Sequence, residues 1–107
     1  MYRQLRQQAG NLFFSPFSIR TALGMTQAGA RGETVAQMRE ALCISTSDET
    51  LHGAFAETIQ RLNAAGGGDY EMTMANSIWG QDGAPLQPGF LDLIARHYRG
   101  AMNLVDF

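Results

Sequence analysis

Along the chain the apolar positions recur first at helical spacing, then at every second residue, then at helical spacing again. The segment from Tyr2 to Gln8 reads as the end of a helix closed by Ala9-Gly10, a helix-stop signal. Asn11 to Phe14 is a short apolar run that predicts a strand. Ser15 is a natural N-cap, and Pro16 sits where the first turn of a helix tolerates it. In the helix that follows, Ile19, Ala22, Leu23 and Thr26 recur at helical spacing, while Gly24, Ala28 and Gly29 add little bulk. A helix small on several faces suits burial. Thr34 and Gln37 form a capping-box pattern ahead of a stripe of Val35, Met38 and Leu42. Thr46 and Glu49 repeat that pattern ahead of Leu51, Phe55, Ile59 and Leu62. Gly66-Gly67-Gly68 reads as the turn closing this helix, because no helix begins straight after it to complete a phosphate cradle.

From Tyr70 the period is two. Tyr70, Met72, Met74, Asn76 and Ile78 fall on one face, and Glu71, Thr73, Ala75, Ser77 and Trp79 on the other. Both faces are partly apolar, which predicts a strand covered on each side. "GQDGAPLQPG" is turn chemistry, and Pro88 fits the first turn of a helix carrying Phe90, Leu91, Ile94 and Tyr98, stopped by Gly100. "AMNLVDF" predicts a second strand. Strand, helix and strand in succession call for parallel pairing through a right-handed crossover. Helices first and a strand-helix-strand unit afterwards give an α+β class. Two strands alone leave both sheet edges open and are marginal, so the pattern predicts a piece of something larger.

Composition sharpens that expectation. A lone domain of this size buries roughly 65% of its unfolded surface, a thin core for a chain of 107 residues that is 45% apolar. Charged residues are only 17%, below the roughly 25% usual in soluble domains, which points to a covered partner surface. The net charge is −2 with eight Arg and no Lys. These bases are scattered, which excludes nucleic acid or an anionic membrane as a main partner. No stretch approaches the roughly 18 apolar residues of a membrane span, and "MYRQLRQQAG" is too polar for a secretion signal.

Enzyme signatures are missing. Cys43, the single cysteine, reads as a small buried residue at a helix end. His52 and His97 lack partners at metal-ligand spacing and read as surface or half-buried groups. Ser15 and Ser18 lack the glycine context of a nucleophile elbow and read as capping residues. Asp48, Glu49, Asp69, Asp82 and Asp92 sit mostly at helix starts and turns, where acids satisfy backbone donors or complement the helix dipole. No catalytic, cofactor or metal site is expected, and no cofactor.

The residues themselves resemble a family. "NLFFSPFSIRTALGMTQAGARGETVAQMREAL" is similar to the second-helix region of the serpins, a run of the form N-[IL]-F-x-S-P-x-S-I, then small residues, G-A-x-G-x-T and a Met-bearing helix. "MANSIWGQDGAPLQPGFLDLIARHYRGAMNLVDF" resembles the serpin A-N-x-[IL]-[FWY] strand, the Pro-x-F-L helix with a Tyr near its end, and a strand closing on Asp-Phe. The likeness runs in family order from about residue 10 to 107. It implies that residues 1–107 are the N-terminal fragment of a single serpin domain, lacking the reactive centre loop and C-terminal sheets.

Serpins are suicide inhibitors of serine and some cysteine proteases. A cleaved reactive loop inserts into the central sheet and drags the acylated protease with it, releasing stored strain. The resemblance therefore implies that the full-length protein is a protease inhibitor rather than an enzyme, with a serine-type protease and the remainder of the serpin chain as partners and an extracellular location. The chain alone is expected not to inhibit and to self-associate. Two alternatives stay open: a non-inhibitory serpin-like binding or chaperone protein, and a short stand-alone interaction scaffold. By motif, Asn11, Ser15 and Ser18 occupy positions of the hydrogen-bonded cluster called the shutter, Pro16 fixes the helix entry, and Thr21 and Asn76 are further candidates. Members that bind heparin through the helix matching residues 49–63 need several bases there; this segment offers Arg61 and His52, so that route is not implied.

Overall fold

The computed structural model describes residues 2–7, 9–65 and 71–107. Its elements follow the order α1 (Tyr2–Leu5), α2 (Pro16–Gly29), α3 (Gly32–Ala41), α4 (Asp48–Ala64), β1 (Ser77–Gln81), α5 (Pro88–Tyr98) and β2 (Ala101–Val105). The strands pair in parallel, from Ser77 opposite Ala101 to Gln81 opposite Val105, with α5 as the crossover. This is the α+β arrangement that the periodicity predicts. Gln81 ties the ends of the pair, donating to Asp106 Oδ1 at 3.0 Å and accepting from the Phe107 amide at 3.0 Å.

Met25, Phe55, Ile59, Ile94 and Tyr98 form the core, with Phe17, Leu51, Met74, Ile78, Phe90 and Leu93 packed against it. The buried stripe of α2 is Thr21, Gly24, Met25 and Ala28, with Gln27, one step round from the expected Ile19–Ala22–Leu23–Thr26 stripe. Ala22, Leu23 and Thr26 are exposed. The reason is steric: a Cβ on Gly24 would stand 2.8 Å from Phe55 Cε2 and 3.0 Å from the Tyr98 oxygen. Small residues select the face onto which two aromatic rings can settle, and bulk goes elsewhere.

Other expectations are corrected. Asn11–Phe14 forms no strand; Phe13 is 99% exposed, and among the described residues no strand lies beside it to pair with. α3 begins at Gly32 with Arg31 as an N-cap that makes no side-chain bond, so Thr34 is inside the helix and Gln37 pairs with Glu33 instead. The cap of α4 is Ser47, which accepts from the Thr50 amide at 3.3 Å, not Thr46. β1 is shorter than the alternating run. Met74, Asn76, Ile78 and Gly80 are half-buried while Ala75, Ser77 and Trp79 are exposed, so one face is covered and the other bare.

Cys43 is exposed rather than buried. It follows α3 at φ 50°, where its amide reaches the Glu40 carbonyl and that of Ile44 reaches the Arg39 carbonyl, the paired bonds of a left-handed helix terminus. At the end of α5 the left-handed residue is Arg99, φ 48°, not Gly100. Gly100 matters for space, since a Cβ there would stand 2.8 Å from Ile94 Cγ2. α1 stops at Leu5, short of Gln8. Gln8, Gly66-Gly67-Gly68, Asp69 and Tyr70 lie outside the described residues.

Candidate functional site

The start of α2 is built as the sequence predicts. Ser15 is extended at φ −107°, ψ 108°, and Pro16 occupies the first turn. Ser15 Oγ accepts from the Ser18 amide at 3.2 Å and from the Ser18 hydroxyl at 3.0 Å. Thr21, one turn on and 0% exposed, donates to the Phe17 carbonyl at 2.8 Å. Three small hydroxyl side chains thus line the first turns of α2, two of them bonded to each other. Hydroxyls both donate and accept, so such a group can exchange partners without leaving a buried atom unpaired.

The other candidates are not drawn into this group. Asn11 is exposed. Asn76 precedes β1 and its carbonyl accepts from the Ala101 amide at 3.2 Å. Its Nδ2 is buried without a hydrogen-bond partner among the described residues. An unsatisfied buried donor costs about 1–3 kcal/mol, so this amide is a cost that the described residues leave uncompensated.

A second polar cluster joins α2, α3, α4 and α5. His52 Nδ1 and the Tyr98 hydroxyl are 2.7 Å apart and buried, with the rings edge-on at 5.6 Å. Asp48 Oδ1 accepts from Arg39 Nη1 at 2.6 Å and Gln27 Nε2 at 3.2 Å, while Arg39 Nη2 also donates to the Thr46 carbonyl. Burial holds the His52 imidazole below its ordinary value; Asp48 opposes this and His97 adds to it. Burial, then Asp48, pushes the Tyr98 phenol up. The sequence reading missed His52 as a core residue, yet the signal was present: it shares the α4 stripe with Phe55 and Ile59, the other buried residues of that helix. Asn63 was missed too. Its Oδ1 accepts from the Met74 amide at 2.6 Å and its Nδ2 donates to the Met74 carbonyl at 3.4 Å, so a side chain takes the place of a neighbouring strand.

The family model for serpins, serine protease inhibitors, matches residues 1–107. The chain belongs to the serpin family. A serpin-like protein of Thermococcus kodakarensis is 34% identical over 107 residues, covering 100% of this chain and 25% of the relative. A leukocyte elastase inhibitor of Xenopus tropicalis is 32% identical over 109 residues, covering 100% of this chain and 29% of its own. Among solved structures, a cleaved Serpin 42Da superposes with a TM-score of 0.79 at 29% identity, over 98% of this chain and 27% of that one. A cleaved kallistatin complexed with heparin gives 0.80 at 25% identity, over 91% and 29%. The serpin chain therefore spans about a quarter of the length of the curated relatives it matches.

Proposed function

We propose that this chain is the N-terminal portion of a single serpin domain, and that the whole protein is a suicide inhibitor of serine or cysteine proteases. The observation that carries the reading is the family match over all 107 residues; relatives named as elastase inhibitors support it. The reactive loop belongs to the remainder of the chain, so residues 1–107 alone do not inhibit. Within the whole protein, the α2 start, with Asn11, Ser15, Pro16, Ser18 and Thr21, forms part of the shutter where central strands part, and Asn76, ahead of β1, is a further member. The Asn76 Nδ2, buried without a partner among the described residues, and the exposed Ala22–Leu23–Thr26 face of α2 support this, since a buried donor needs an acceptor and an exposed helix face is open to cover.

Heparin activation through α4 is not part of the proposal. His52 is 3% exposed, and Arg61 is held by Glu57 at 2.8 Å.

The inhibitory reading is tested by incubating the whole protein with an elastase-like serine protease and a papain-like cysteine protease, then resolving the products on a denaturing gel. A covalent complex with the summed mass of inhibitor and protease is expected with one of them. A cleaved serpin band and no complex with either contradicts it and points to a non-inhibitory binding protein.

The isolated chain is expected to self-associate. Trp79 is 60% exposed and Phe107 84%, and a two-stranded parallel sheet has two open edges. Light scattering at micromolar concentration should report species larger than one chain; a compact monomer contradicts the expectation.

A further inference from the structure

We propose that His52 and Tyr98 form a pH-sensitive clasp between α4 and α5, closed while the imidazole is neutral and opened when it takes up a proton. The geometry carries the proposal. The two side chains are 3% and 0% exposed, bonded at 2.7 Å, and Tyr98 lies directly under Gly24 of α2. With neutral His52 carrying its proton on Nε2, Nδ1 accepts from the phenol and both groups are satisfied. Protonation turns Nδ1 into a donor. The phenol must then accept, and its own proton loses the Nδ1 acceptor that it had. A buried cation and an orphaned hydroxyl proton appear together.

The charged groups around the pair do not rescue the imidazolium. On α4, Asp48 attracts it from one turn away, but its Oδ1 is already shared by Arg39 of α3 and Gln27 of α2. On α5, His97 has its ring 6.1 Å from that of His52, and it opposes a charge on His52 rather than balancing it. From α2, Gly24 and Gln27 bring no charge, and Arg20, the base on that helix, lines the groove with Phe17, Leu51 and Phe55. Because the folded-state value of His52 lies below its ordinary 6.5, the clasp's contribution is whole above that pH. It is lost as pH falls from there through the folded-state value. Since α2 rests on this joint, acid is expected to speed the conversion of the whole serpin to polymer.

The test compares the whole protein with its His52→Asn variant. Asparagine places a non-titrating polar group near Nδ1 and keeps a bond to Tyr98. Polymer formation at a fixed sub-melting temperature should accelerate at least about fivefold more in wild type than in the variant between pH 7.5 and pH 5.5. Equal acceleration in both overturns the proposal. If the variant does not fold, exchange of the imidazole C2 hydrogen in wild type, followed by mass spectrometry, decides. A His52 midpoint below 6.5 supports the clasp, and a midpoint at or above 6.5 overturns it.

Discussion

Gly24→Val is expected to destabilise the whole protein by about 3 kcal/mol, at the upper end of what overpacking costs. A Cβ at this position would stand 2.8 Å from Phe55 Cε2, 3.0 Å from the Tyr98 oxygen and 3.1 Å from Phe55 Cζ. The two rings are themselves packed at 5.3 Å between centroids, so neither can turn away without disturbing Ile59 or Ile94. Valine adds two further carbons to that contact. Gly24→Ala is the gentler case: it gains about 1 kcal/mol of helix propensity against a single close carbon, and a net loss of about 1 kcal/mol is expected. Denaturant midpoints of the two variants and wild type check the order. A Gly24→Val protein as stable as wild type contradicts the packing.

Ser15→Leu is expected to act on the opening of the sheet more than on the helix it caps. Locally the substitution removes an acceptor for two groups of Ser18, and loss of such a cap costs about 1 kcal/mol. In the whole protein it also removes a hydroxyl able to exchange partners as strands separate, and inserts bulk where Ser15 is half-buried. The two effects are separable. Ser15→Asp restores a cap acceptor but, ionised, cannot donate. If Ser15 only caps α2, the aspartate variant behaves as wild type; if the hydroxyl serves the shutter, both variants convert faster.

Much of the fold was legible because local signals and tertiary packing agreed. Ser15-Pro16 and Pro88 start α2 and α5 as their chemistry predicts, and the alternating run before "GQDG" yields a parallel strand. Where the reading failed, the deciding contact was distant in sequence. The inward stripe of α2 is chosen by Phe55 and Tyr98, more than 30 and 70 residues away. Asn11–Phe14 has strand composition, but pairing is a property of two segments, and one alone stays irregular. Cys43 was read from residue type, while its left-handed backbone turns on how α3 ends. The site divides in the same way. Ser15 and Ser18 are three residues apart and were visible as a capping pair, whereas the empty hydrogen-bonding site of Asn76 and the His52–Tyr98 bond exist only once α4, α5 and β1 are assembled.

The central claim is that the start of α2 governs how the sheet of the whole serpin opens. It is tested most directly by holding wild type, Ser15→Leu and Ser15→Asp proteins at one temperature below melting and following latent and polymeric forms on native gels. Both variants are expected to convert at least about fivefold faster than wild type, the rate equivalent of roughly 1 kcal/mol. A Ser15→Asp protein that converts at the wild-type rate would contradict the claim and leave Ser15 a helix cap.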